Sequence, residues 1–441
     1  MKKTIILLLF LYLSISSLHA AAWQRDHFNN GVNLLVQEDH SAPVAMIQIW
    51  LKVGGRDELP SKTGLAHVFE HMMFKGSKHL KAGEFSKTIA AMGGSDNAFT
   101  STDFTAYFET IPAQEIKKVI KMEAERFSQL NLKKADFLKE IEVIKEERRM
   151  RTEDNPGGRL YEELMAASLR LHPYRNPVIG WMQDLESLNI EDVHAFYKKH
   201  YVPSNVTVVI VGDVQFKDVQ KWTKKSFGRI KSKHTAPARF TPTEPKALGA
   251  KRIEIHVPAK LAAVDITIQV PVWVPHQNDQ QAAALAIATE IIGGGKGALM
   301  HRALVDQQQV ASGLGIYHDP FGMGLDLWYV SAQLSQKQQP DAFQKAFWKT
   351  LKDMSNQITD AYVAAAKKRM ISSEIFAQDS LYLRAKKAGM METVGIGANN
   401  MDYWLDLLRQ VDTKQVSAVM QQFLVQEHST TGVLYPTEAK Q

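Results

Sequence analysis

The chain has 441 residues, 45% apolar and 23% charged, with a formal net charge of +6 and no cysteine. These are globular proportions, and the charge is too small and too scattered to argue for nucleic acid. Without cysteine there are no disulfides, no thiolate catalysis and no cysteine-held zinc, so any metal must sit on His, Asp or Glu.

Lys2 and Lys3 precede an apolar stretch, Ile5 to Ile15, that is too short to span a membrane comfortably. Ser16, Ser17 and the run Ala20 to Ala22 then supply small residues. The pattern predicts a bacterial secretory signal peptide over 1–20, cut after Ala20 or within the two residues beyond. An uncleaved anchor is the alternative. No later stretch holds ~18 uninterrupted apolar residues, so no membrane span is expected after cleavage. The mature protein is expected in the periplasm or secreted.

Val44 to Trp50 (VAMIQIW) reads as a strand, and Leu65 to His71 falls in a helix. A shift of 264 − 44 = 220 finds Val264 to Val270 (VDITIQV), then a helix through Leu285 to Ile291. Near the end of each half, Val193 to Val211 matches Val416 to Leu434 at a shift of 416 − 193 = 223, each time a helix passing into a strand. Two copies of one mixed α/β unit are expected. Lys231 to Gly249 carries Pro237, Pro242 and Pro245 with no apolar period, as a linker does. The expected division is a first domain over 21–232, a linker over 233–249 and a second domain over 250–441.

The repeat is asymmetric where chemistry could reside. Gly64 to Gly76 reads GLAHVFEHMMFKG. His67 and His71 are one helical turn apart and could reach one metal ion. Glu70 points to nearly the same side, where it could take a proton from water. This is the H-x-x-E-H order. A half-buried helix with two hydrogen-bonded histidines would carry the same letters. The second half has Ile287 and Ile291 at the matching places, so a metal site belongs to the first half alone. A third ligand is sought in Lys133 to Arg151, where Phe137, Ile141, Ile144 and Arg148 form a packed stripe. Glu140 and Glu147 both border that stripe, Glu146 and Glu153 read as solvated, and spacing does not choose between the first pair.

His67, Glu70, His71 and Glu147, with 147 − 71 = 76, resemble the zinc site of the insulinase/pitrilysin family of peptidases. The short bacterial members, similar to the β subunit of the mitochondrial processing peptidase, look most alike. The likeness extends through Gly93-Gly94, Asn97 to Thr100, Glu153 to Pro156, His172 to Tyr174, Gly180-Trp181, Tyr201 to Asn205 and Val211 to Asp213. It implies an α/β (α+β) fold of two similar mixed-sheet domains, with helices packed on the sheets, enclosing a chamber. It implies Zn²⁺ on His67, His71 and Glu147, Glu70 as general base, and Glu140 as a supporting acid of the catalytic site. Asn97, Ala98, Phe99 and Thr100 then match an edge strand that binds peptide by its main chain.

The implied function is zinc-dependent hydrolysis of peptides or short unfolded segments. Active single-chain relatives carry an Arg and, seven residues on, a Tyr in the second half. Alignment from the Gly293-Gly294-Gly295 turn, read here as a helix stop, puts Val305 and Ser312 there. Arg302 and Tyr317 are fifteen apart, the wrong spacing. A homo- or heterodimer is therefore expected, with a related chain lacking the zinc motif supplying the pair. A silent scaffold, or a module that holds peptide without cutting it, are the other readings.

Overall fold

The two expected strands at Val44 and Val264 each become the middle of a mixed sheet. A computed structural model describes residues 22–438; the signal peptide expected over 1–20 lies outside them. The first sheet uses β1 (Gln24–His27), β2 (Asn33–Glu38), β3 (Val44–Leu51), β4 (Ser95–Thr100), β5 (Thr105–Pro112) and β6 (Val206–Gly212), in the order β1-β2-β6-β3-β5-β4. The second uses β7 (Lys251–Pro258), β8 (Ala263–Val270), β9 (Ala311–Tyr317), β10 (Asp326–Leu334) and β11 (Ser429–Thr437), in the order β7-β11-β8-β10-β9. Remove β1 and the two orders are the same. Each sheet has one parallel pair, β2 with β6 and β11 with β7, among antiparallel neighbours. The repeat read from short apolar segments is thus a repeat of topology.

Strand β6, VTVVIVG, is buried along its whole length. A β-branched run without polar alternation belongs to a strand covered on both faces. Val206, Val208 and Ile210 face the first core, under the Leu65–Met72 helix. Val209 and Val211 face Ala385 and Ala388 of the Leu381–Thr393 helix, which comes from the second half. The exchange is mutual. The Pro156–Ser168 helix of the first half lies across β7, β8 and β11 of the second sheet, with Leu160 buried against Leu434 and Val257. The two crossing helices are 381 − 156 = 225 residues apart, so they are equivalent in the repeat. Chain order and packing therefore differ by one helix each way.

The second crossing helix sits close. A Cβ on Gly389 would fall 2.2 Å from the indole nitrogen of Trp50, a fully buried side chain on β3. Its docking is also polar: Gln48 donates to the carbonyl of Tyr382, and Arg384 pairs with Asp39. Gly389→Val is expected to cost about 1–3 kcal/mol by overpacking, read as a lower urea midpoint. A midpoint equal to wild type would show that this helix does not rest on β3.

Residues 231–249 form neither helix nor strand. The segment is strapped down nonetheless. Arg56 donates to the Phe240 carbonyl and the Thr241 hydroxyl, and Glu244 accepts from the backbone N–H groups of Arg170, Leu171 and His172. The Asp279–Gly293 helix ends at Gly294, and Gly295 takes a positive φ of 91°, as expected of a helix stop.

Candidate metal centre

The Leu65–Met72 helix is too short to stand alone and is held by its surroundings. Gly64 precedes it with φ 84°, and a Cβ there would meet the Ile179 carbonyl at 2.6 Å. Glu58 caps the first turn, accepting from the N–H groups of Gly64 and Ala66 at 2.9 and 2.7 Å. Ala66, Val68, Phe69 and Met72 go into the core, and Phe69 packs on Tyr201 with ring centroids 4.1 Å apart. That leaves His67, Glu70 and His71 toward the Lys134–Arg148 helix. The buried residues of that second helix are Phe137, Ile141, Ile144 and Arg148, the stripe expected from spacing. Its chain continues into a π-helical turn, Arg149–Glu153, a distortion that often marks functional positions.

His67, His71 and Glu147 converge. One ligand atom from each lies within 4.8 Å of the others, and Nε2 of both histidines is 3.7 Å from the same Glu147 oxygen. Glu140 sits at the far end of the His71 ring, 3.2 Å from Nδ1. A carboxylate only accepts, so Nδ1 carries the proton and Nε2 turns its lone pair toward Glu147. Lys75 holds the other Glu140 oxygen at 2.5 Å. The His71 ring thus bridges the two carboxylates that spacing alone left equivalent.

These residues fit a zinc ion. The donors are two imidazole nitrogens and one carboxylate oxygen, the common set for a site with an open position. Two ligands at about 2.0–2.1 Å from a tetrahedral ion lie ~3.4 Å apart, close to the 3.7 Å from each histidine Nε2 to Glu147. Burial, then the charges of His71 and Arg151, hold His67 down at about 3, so its ring is neutral and free to donate an electron pair. Its Nδ1 is buried without a hydrogen-bond partner among the described residues.

Glu70 accepts from the Thr100 hydroxyl at 2.5 Å. Burial pushes its carboxyl upward, against the pull of that hydrogen bond and of His71. Thr100 ends β4, which is the edge of the first sheet. Side chains alternate along it: Ala98 packs toward the first core, while Phe99 turns to Trp50 and Asn97 caps the next N–H. Of the four, Thr100 is the one that hydrogen-bonds Glu70, and the free edge is main chain.

Val305 packs against the second core, and the Ser312 hydroxyl bonds the carbonyls of Gln333 and Leu334. Neither is among the residues lining the cavities between the halves. Sequence reasoning missed Arg151, whose guanidinium holds the second oxygen of Glu147 at 2.8 Å. The i,i+4 spacing was the available signal. Arg151 and Thr152 open onto a cavity of about 430 Å³ between the halves, which shares Tyr161, Tyr174 and Phe321 with a second of about 620 Å³. No helix among the described residues is long and apolar enough to cross a membrane.

A family model described as insulinase (peptidase family M16) matches residues 33–181, and one described as the peptidase M16 inactive domain matches 187–370. The chain is 34% identical over 305 residues to the zinc protease PqqE of Helicobacter pylori, covering 67% of this chain and 68% of that protein. It is 24% identical over 265 residues to a probable mitochondrial-processing peptidase subunit beta of Arabidopsis thaliana, covering 60% and 49%. The crystal structure of a protease from H. pylori matches with a TM-score of 0.89 at 28% identity, covering 94% of this chain and 100% of that one. The half that carries the H-x-x-E-H helix and the half that lacks it are thus both matched in kind, and this chain belongs to the insulinase family of peptidases, family M16.

Proposed function

We infer that the protein is a zinc metalloendopeptidase of exported peptides or short unfolded segments. One observation carries the reading: His67, His71 and Glu147 present three donors to one point, with Glu70 near enough to feel the charges of His71 and Glu147. Zinc held there would supply Lewis acidity, polarising a peptide carbonyl and making water acidic enough to attack near neutral pH. His67 offers a neutral ring, and Glu140 orients His71 by accepting from its Nδ1. Glu70 takes the proton of the attacking water and returns it to the leaving amine. Peptide adds to the free edge of β4 through Asn97 to Thr100, so its sequence is loosely restricted there. The first domain, 21–232, carries the metal; the second, 250–441, closes the chamber. The start of the sequence, Lys2 to Ala22, supports export to the periplasm.

A second reading is favoured by Val305 and Ser312, which leave the chamber without the expected Arg and Tyr. In it the chain is the zinc-bearing subunit of a dimer and a related chain supplies that pair. The intact ligand set argues against a silent scaffold.

The deciding experiment measures zinc by mass spectrometry and hydrolysis of quenched fluorescent peptides by the mature chain. One zinc per chain with turnover is expected. Zinc without turnover, restored by a related chain, would favour the dimer. No zinc would sink both readings. Glu140→Gln removes the charge that orients His71, and zinc affinity is expected to fall ~10–100-fold in competition with a chelator. Unchanged affinity would deny Glu140 that task.

A further inference from the structure

The π-helical turn that follows Glu147 leads directly into the first crossing helix, Pro156–Ser168. That helix has two faces. Leu160, Leu164 and Ser168 are buried on the second sheet. Gly158, Tyr161, Glu162 and Met165, at offsets of three, four and seven, line the opposite face toward the cavity that begins at Arg151. One continuous piece of chain therefore holds a metal-ligand carboxylate and one wall of the chamber.

The wall continues in aromatic rings from the second half. Tyr161 meets Tyr329 edge-on at 5.5 Å, and Tyr329 stacks with Tyr317 at 6.1 Å. Tyr161 is 47% exposed and Tyr317 61%, yet both line the 620 Å³ cavity, joined there by Met165 and Phe321. Large rings left open inside a cavity have apolar surface to offer a ligand.

The cavity also carries carboxylates, but their charges are engaged. Glu290 pairs with Arg369 and Glu374 with Lys387, Asp326 accepts from the Asp319 N–H and meets the His318 ring, and Glu162, on the wall of the smaller cavity, pairs with Arg148. Asp319 accepts from the N–H of Phe321, and burial pushes its carboxyl upward. Each carboxylate of this set already has a partner, which weakens its pull on a Lys or Arg side chain.

We propose that Tyr161, Tyr317 and Tyr329, with Met165 and Phe321, form a side-chain subsite that selects peptides bearing an aromatic or large aliphatic residue at a fixed distance from the cut bond. This rests on the peptidase reading and names the substrate class of that site. Tyr329 also donates to Asp265 at 2.5 Å, so it is left in place in the test.

The mature chain is given two quenched peptide sets, identical except for Phe or Ser scanned through each position, and products are sequenced by mass spectrometry. At one position the Phe peptide should exceed the Ser peptide about tenfold in kcat/KM. In Tyr161→Ser and Tyr317→Ser that ratio should collapse toward one, with zinc content unchanged, while Tyr161→Phe should keep it. The same preference in both Ser variants, a flat profile in the wild type, or a preference for Lys or Arg there would overturn the subsite. A parallel arm measures binding of the fluorescein-labelled Phe and Ser peptides to Glu70→Gln protein. Tighter Phe binding that needs Tyr161 and Tyr317, without turnover by the wild type, would keep the subsite and remove the peptidase reading. Equal binding of both peptides would overturn the subsite whatever the turnover.

Discussion

Glu70→Gln is expected to keep zinc and to lower peptide turnover by about 10²–10⁴-fold. The substitution preserves length and the hydrogen bond from Thr100, which the amide oxygen can still accept. It leaves His67, His71 and Glu147 as they are, so metal content should not change. What it removes is the group that accepts a proton from water. His71→Ala makes the contrast: it deletes a donor nitrogen and unseats Glu140 and Lys75 behind it, so zinc itself should be lost. The pair separates base from ligand. Turnover unaffected by Glu70→Gln would sink the role given to Glu70, and zinc retained by His71→Ala would sink the ligand set.

The parts of this site that were legible in the sequence are those in which spacing on one helix fixes geometry. His67, Glu70 and His71 share a face because 3.6 residues make a turn, and the buried stripe of the Lys134–Arg148 helix follows from the same period. Spacing did not choose between Glu140 and Glu147, because both lie on that face two turns apart; the resemblance to the family did. The placement of His71 between them separates the carboxylate at Nδ1 from the one at Nε2. The crossing helices were hidden for a related reason. Periodicity shows that Leu160 and Leu164 face something apolar, but not that the apolar surface belongs to the other half of the chain. The aromatic wall at Tyr161, Tyr317 and Tyr329 depends on that exchange, so it leaves no local pattern. The edge strand at Asn97 to Thr100 was given by the resemblance to the family; which of its side chains reach Glu70 was not.

Arg126→Met is expected to destabilise the protein by about 3–5 kcal/mol, because it strips the cation from buried carboxylates. Arg126 is 2% exposed and pairs with Glu109 and Glu123, both fully buried. Its guanidinium lies over Phe85 at 3.9 Å, with Tyr107 and Phe74 about it. One cation thus serves two acids in an aromatic enclosure. Burial, then the charge of Glu123, pushes Glu109 well up from the ordinary carboxylate range. The sign follows. A carboxyl whose folded value lies above its unfolded value favours the folded state at low pH, and that advantage is lost as pH rises from the unfolded value through the folded one. Glu109 therefore costs stability at neutral pH, and Glu109→Gln should raise the melting temperature there and less so in acid. Removing Arg126 instead leaves both acids without a cation, and the melting temperature should fall by roughly 5 °C. Adding Glu109→Gln and Glu123→Gln to Arg126→Met should recover much of the loss, since the penalty is uncompensated charge rather than lost volume. No recovery would mean that the ring contacts of Arg126 matter more than its charge. The consequence reaches the metal centre through Tyr107, whose hydroxyl meets that of Tyr201 at 2.7 Å, directly beneath the Phe69 face of the histidine helix. A weakened ionic core should therefore loosen zinc before it unfolds the second half.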